Sequence, residues 1–366
     1  MKEIKTTNTV ALTVNKALET LSLCYCKTIN SGLPVKELPS MMLWGSPGVG
    51  KSQLVQQLKE EIEAKTGKSA VITDVRLMLF NPIDLRGIPT ASEDKTVAVW
   101  LKPQIFNMNP SEDIVNILFL DEISAAPPSV QAAAYQITLD RVVGEHRLPD
   151  NCIVIAAGNR VTDKSVAYKM PKALANRLCH FEIQSDFDSW RDWAVKNGIN
   201  QKVLGFISFK RDSLMGFDSH NDDNAFPSPR SWEKVSKLLN TVDGNVELMY
   251  PMIAGLVGTG AAIEFKTWCD VYNQLPSVKD IFDGKNPSVP KNTDVLYALI
   301  SSMFDYAKKH SKDLSKIANS IKYAMKLPSD FSFVLFRDYI SIEENYKLKL
   351  LQIPEFVTWL QNKGGN

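Results

Sequence analysis

The octapeptide Gly45-Ser-Pro-Gly-Val-Gly-Lys-Ser52 sets two close glycines before a lysine and a hydroxyl, in the pattern G-x-x-x-x-G-K-[ST]. Gly48 and Gly50 let consecutive backbone N–H groups turn inward around a phosphate, and a helix beginning there adds the positive end of its dipole. Lys51 then reaches the β- and γ-phosphates of a nucleotide, and the Ser52 hydroxyl serves Mg²⁺. Gly45, Ser46, Pro47, Gly48, Val49, Gly50, Lys51 and Ser52 together form the candidate phosphate cradle. A second group closes the run Asn116-Ile-Leu-Phe-Leu-Asp-Glu122. Asp121 is placed to hold the Mg²⁺ that bridges the phosphates, so Ser52 and Asp121 are the candidate metal ligands. Glu122 is then free to polarise an attacking water and accept its proton. A third candidate, Asn159, ends Cys152-Ile-Val-Ile-Ala-Ala-Gly-Asn159 and offers its amide to that water or to a γ-phosphate oxygen. In isolation, Asp-Glu after a strand reads as a solvated turn and Asn after Gly158 as a turn former. The phosphate loop gives both a reactive role.

Such groups need strand ends to hold them. Short apolar runs bounded by turn signals recur at Met41 to Trp44, Ala70 to Leu77, Asn116 to Leu120, Cys152 to Ala157 and His180 to Ile183. Helical patterns alternate with them at Gln53 to Lys65 and Ser129 to Asp140. That alternation predicts an α/β fold, a parallel sheet covered by helices. Another helical run, Leu12 to Thr28, precedes the first strand. After about Asp186 helical patterns dominate, at Asp188 to Asn197, Arg230 to Asn240, Tyr250 to Tyr272 and Val295 to Lys309. Pro276 to Asp294 is rich in Pro, Asn, Lys and Asp and reads as a linker or long surface loop. The expected divisions are an α/β nucleotide-binding domain over 1–187, a helical domain over 188–275 and a helical extension over 276–366.

Composition narrows the partners. The 366 residues are 44% hydrophobic and 23% charged, ordinary for a soluble chain with more than one core. Lys plus Arg number 42 against 41 Asp plus Glu, so no charge excess points to nucleic acid or an anionic membrane. Met1 to Val10 lacks a signal-peptide apolar core and no run is long enough to span a bilayer, so the expected compartment is the cytoplasm. Five scattered cysteines and four isolated histidines (His146, His180, His220, His310) offer no metal-ligand spacing. Cys24 and Cys26 are close but lack a second pair.

The phosphate loop, the acid-tipped strand and the Asn-tipped strand together resemble the AAA+ superfamily, and within it the MoxR-like ATPases. The resemblance runs with specific motifs from Val14 to Trp268. Gly45 to Ser52 corresponds to the family's Walker A, Ile117 to Glu122 to Walker B and Asn159 to sensor 1. Arg177, in Ala173-Leu-Ala-Asn-Arg-Leu178, matches the arginine finger, and Arg230, in Pro227-Ser-Pro-Arg-Ser-Trp-Glu233, matches sensor 2. Arg160 and Arg141 are rival fingers, and a surface arginine capping its helix is the bland reading of Arg177. Asn81 to Pro89 with Thr90 to Trp100 resembles the helix-2 insert of this branch, and Val142 to Pro149 its pre-sensor-1 hairpin. The resemblance implies a five-stranded parallel core with helices on both faces and the Walker A strand between the sensor-1 strand and the last strand. An all-α lid and a C-terminal helical region follow. It further implies ATP and Mg²⁺ as ligands and self-association into a ring, usually a hexamer. Arg177 would then act on the neighbour's nucleotide and Arg230 on its own.

A ring ATPase that remodels or loads a protein partner is therefore the leading expectation, and a von Willebrand factor A-domain protein is the partner the resemblance suggests. A nucleic-acid motor or loader shares the machinery, but no basic patch interleaved with aromatics supports it. A nucleotide-gated scaffold with little turnover is the non-enzymatic alternative, and Glu122 and Arg177 argue against it. An N-K-x-D base-reading element for GTP is absent.

Overall fold

The computed structural model describes residues 9–160, 163, 168, 170, 175–218, 223–272, 275–343 and 345–363. His220 and residues 1–8, 173 and 174, parts of stretches read above, lie outside them. The chain divides into two compact units, Met1–Ser189 with Phe217–Asp222, and Trp190–Gly216 with Asp223–Asn366.

The first unit is built on a parallel sheet. Its strands are β1 (Val10–Thr13), β2 (Met41–Trp44), β3 (Ser69–Arg76), β6 (Ile114–Asp121), β9 (Cys152–Gly158) and β10 (Cys179–Gln184), in the order β1-β10-β2-β9-β6-β3. Two antiparallel hairpins, β4 (Ile88–Ala91) with β5 (Ala98–Leu101) and β7 (Val142–Val143) with β8 (His146–Arg147), stand apart from it. The five expected strands are present, with the phosphate-loop strand β2 between β9 and β10. A sixth, β1, adds to them at the edge. It occupies residues read as polar leader and helix start, because four residues paired on one side and half exposed carry no long apolar run.

Alternation along the strands divides the core into two layers. Leu43, Ile117, Phe119, Ile153 and Ile155 face one side, where Leu21 of α1 (Val14–Asn30) and Leu54 and Leu58 of α2 (Lys51–Thr66) cover them. Met42, Leu118, Leu120, Val154 and Ala156 face the other, against Leu85 of α3 (Pro82–Arg86) and Val130, Ala134 and Ile137 of α4 (Pro128–Asp140). Strands buried on both faces lose water from every side chain, which is why they read as unbroken apolar runs. Asn116 is the buried polar exception in β6, and its amide donates to Asn109 O at 2.8 Å and Asn151 Oδ1 at 2.9 Å.

The second unit is helical. It comprises α5 (Phe187–Lys196, whose first turn belongs to the other unit), α6 (Gln201–Phe209), α7 (Pro229–Thr241), α8 (Val246–Val257), α9 (Thr259–Tyr272), α10 (Val278–Phe282), α11 (Thr293–Lys309), α12 (Leu314–Ala324), α13 (Ser329–Ile340), α14 (Tyr346–Leu350) and α15 (Pro354–Lys363). Trp232 of α7 is fully buried among the rings of Phe206 and Phe265, and its indole N–H donates to Ser213 O at 2.7 Å. The single helix expected over Tyr250 to Tyr272 is two, because Gly258 at φ +84° breaks it between α8 and α9. The expected loop over Pro276 to Asp294 contains α10, whose Ile281 and Phe282 are completely buried. A five-residue helix with two anchors is too short to print a periodicity.

Candidate functional site

β2 ends at Trp44 and the chain turns through Gly45–Gly50 into α2. Gly50 is the N-cap of α2 at φ +110°, a region where any side chain is strained, and it brings no side-chain cap. The first turn also lacks an acidic residue, so the positive end of the helix dipole is not neutralised there. Val49 is buried and anchors the loop in the α1-side core, while Ser46, Pro47 and Gly48 are half-buried. Lys51 is buried, yet its ammonium is well supplied with acceptors: Gly45 O at 2.6 Å, Ser46 O at 3.2 Å and Asn159 Oδ1 at 3.0 Å. Pairing the charge with three oxygens offsets the cost of removing it from water.

The neighbouring strand ends supply the rest. Ser52 Oγ and Asp121 Oδ2 are 3.4 Å apart, too long for a strong hydroxyl hydrogen bond, and leave two hard oxygens side by side. That pair suits Mg²⁺, which takes one or two protein oxygens and completes its shell with phosphate and water. Among the described residues no group of three or more His, Cys, Asp or Glu could hold a metal by itself. Asp121 Oδ1 accepts the Glu122 backbone N–H at 2.9 Å. Glu122 itself sits at φ +59°.

Several contributors are not visible as motifs. The Ser124 hydroxyl accepts Asn159 N–H at 3.0 Å, tying the turn after Glu122 to the tip of β9. Asp74 on β3 lies beside Asp121, and partial desolvation followed by the charge of Asp121 holds its carboxyl above the usual carboxylate range. Trp44 Nε1–H donates to His180 Nδ1 at 2.9 Å, which leaves Nε2–H to donate to Ala175 O at 2.7 Å. The ring thereby joins the strand before the phosphate loop to the turn that carries Arg177. Long-range pairing creates the Ser124–Asn159 and Trp44–His180 contacts.

The arginines separate by environment. Arg177 is exposed in the turn before β10. Arg230 is exposed at the second position of α7, in the helical unit. Arg141 caps α4 at φ +56° and its guanidinium donates to Cys152 O, while Arg160 is engaged with Glu182, Asp163 and Ser46 of its own chain. The stretch read as an insert forms α3 and the exposed β4–β5 hairpin; the stretch Val142 to Pro149 forms the β7–β8 hairpin, and His146 Nε2 lies 2.8 Å from Trp100 O.

Residues 40–180 match the model of the ATPase family associated with various cellular activities (AAA). No curated protein matches the chain in sequence. Among solved structures, C. elegans PCH-2 is 13% identical over 69% of this chain and 66% of that chain, with a TM-score of 0.36. The E. coli MS115-1 HORMA:CdnC:Trip13 complex contributes a chain 14% identical over 69% of this chain and 88% of its own, with a TM-score of 0.35. The Aeropyrum pernix ORC2 protein is 12% identical over 92% of this chain and 88% of its own, with a TM-score of 0.36. Likeness at this level leaves the assignment resting on the 40–180 segment and the site geometry.

Proposed function

We propose that this chain, whose residues 40–180 match the AAA family model, is a Mg²⁺-dependent, ring-forming ATPase of the MoxR-like branch that remodels or loads a protein partner. The observation that carries the reading is the convergence of three strand ends: Lys51 Nζ lies 3.0 Å from Asn159 Oδ1, and Ser52 Oγ lies 3.4 Å from Asp121 Oδ2. In this reading the loop N–H groups and Lys51 bind the β- and γ-phosphates of ATP, and Ser52 and Asp121 hold Mg²⁺. Bound there, Mg²⁺ supplies charge neutralisation between the phosphates. Asn159 orients the attacking water and Glu122 accepts its proton.

The exposed Arg177 suits a finger that completes the site of the next subunit in a ring, a hexamer by resemblance, and the role of Arg230 as sensor 2 rests on the resemblance alone. The β4–β5 hairpin exposes Ile88, Val97 and Leu101, which favours a protein client over nucleic acid; a von Willebrand factor A-domain partner rests on the resemblance alone. No helix among the described residues is long and apolar enough to cross a membrane, and a cytoplasmic setting is part of the same proposal.

Mixing variants tests the ring and the finger together. Arg177→Ala keeps its own Lys51 and Glu122, and Glu122→Gln keeps its Arg177, so mixed rings contain junctions joining an intact site to an intact finger. Each variant alone should lose most turnover, and the mixture should regain part of it. Exchange of subunits without any regained activity would contradict a trans role for Arg177.

A further inference from the structure

Arg160 follows Asn159 directly and uses its guanidinium on three elements at once. Nη1 donates to Glu182 Oε1 at 2.5 Å, Nη2 donates to Ser46 Oγ at 3.0 Å and lies 3.1 Å from Asp163 Oδ1, and Nε donates to Asp163 Oδ1 at 3.2 Å. Both carboxylates are buried, with side chains 6% and 5% exposed for Glu182 and Asp163. Glu182 is the register partner of Trp44, the residue before the phosphate loop. Ser46, held through its hydroxyl, offers its carbonyl to Lys51 Nζ at 3.2 Å, and Lys51 in turn donates to Asn159 Oδ1. The contacts close a circuit: Arg160, Ser46, Lys51, Asn159 and back to Arg160 along the chain.

We infer that Arg160 is a positioning residue acting within its own subunit, holding Ser46 so that Lys51 is aimed before nucleotide arrives. A guanidinium bound to two buried carboxylates and a loop hydroxyl has four of its five N–H donors committed, and releasing them toward a neighbour would leave those carboxylates unpaired. The planar fork is what lets one side chain serve Glu182, Asp163 and Ser46 together, a task a lysine point charge does not match. The role rests on the phosphate-site reading above and adds to it a residue outside the loop that sets nucleotide affinity.

The test measures the affinity of the full-length chain for fluorescent Mg·ADP beside its thermal midpoint. Arg160→Met alone strands two buried carboxylates and invites misfolding, so the informative variant is Arg160→Met/Asp163→Asn/Glu182→Gln, which removes all three charges with little change of shape. It should raise Kd about tenfold, the scale of one charge-assisted hydrogen bond. Ser46→Ala should raise Kd in the same direction, and adding it to the triple variant should have no further effect because the link is already cut. A midpoint shift with unchanged Kd, or effects of Ser46→Ala and the triple variant that multiply, overturns the role. A parent chain that fails to bind the probe overturns the phosphate site and this role with it. A triple variant that binds Mg·ADP with the parental Kd but loses turnover, and regains it when mixed with Glu122→Gln, would make Arg160 a trans donor and overturn the inference.

Discussion

Glu122 is held at φ +59°, where an L side chain crowds the following carbonyl. The turn keeps it there: Ala125 N–H and Ala126 N–H both donate to Glu122 O, and Glu122 N–H donates to Asp121 Oδ1. A glycine would meet the same backbone requirement without strain, so an acid here carries a backbone cost that the proposed role of Glu122 as base would account for. Glu122→Gly is expected to be more stable than Glu122→Ala by about 1 kcal/mol, read from their denaturation midpoints, while neither hydrolyses ATP. Equal midpoints would remove the strain argument. The same scale shows what a linear reading reaches. The placement of Lys51, Ser52, Asp121 and Glu122 at the ends of β2 and β6 is legible because each follows closely on an apolar run. Ser124, which meets Asn159 across 35 positions, and Arg160, which meets Ser46 across 114, are set by sheet order, which no local pattern encodes.

At the scale of elements, the buried strands were legible to within a residue or two, since burial on both faces leaves an unmistakable apolar run. β1 was not, because an edge strand of four residues needs no such run. The break at Gly258 was hidden by apolar residues that continue on both sides of it. α7 shows the opposite case, a helix whose start is explicit. Ser228 is its N-cap, its hydroxyl accepts Ser231 N–H at 3.1 Å, Ser231 Oγ accepts Ser228 N–H at 2.8 Å, and Pro229 opens the first turn that carries Arg230. Ser228→Ala should cost about 1 kcal/mol, seen as a lower midpoint for the helical unit's unfolding. An unchanged midpoint would mean that tertiary packing around Trp232, and not the cap, fixes the helix start.

At the scale of the molecule, Lys51, Ser52, Asp121, Glu122 and Asn159 all belong to one compact unit, and Arg230 belongs to the other. In the proposed reading, the phosphate loop and the water-activating acid both fall within the α/β unit. The division of labour within that unit is the central claim: Lys51 and the loop bind, and Glu122 turns over. Phosphate release by Glu122→Gln at saturating Mg·ATP, measured beside its nucleotide affinity, tests it most directly. The amide keeps the shape of the side chain and cannot accept the proton. The predicted result is parental affinity with release slowed at least about 100-fold; release at the parental rate, or loss of binding together with turnover, would contradict it.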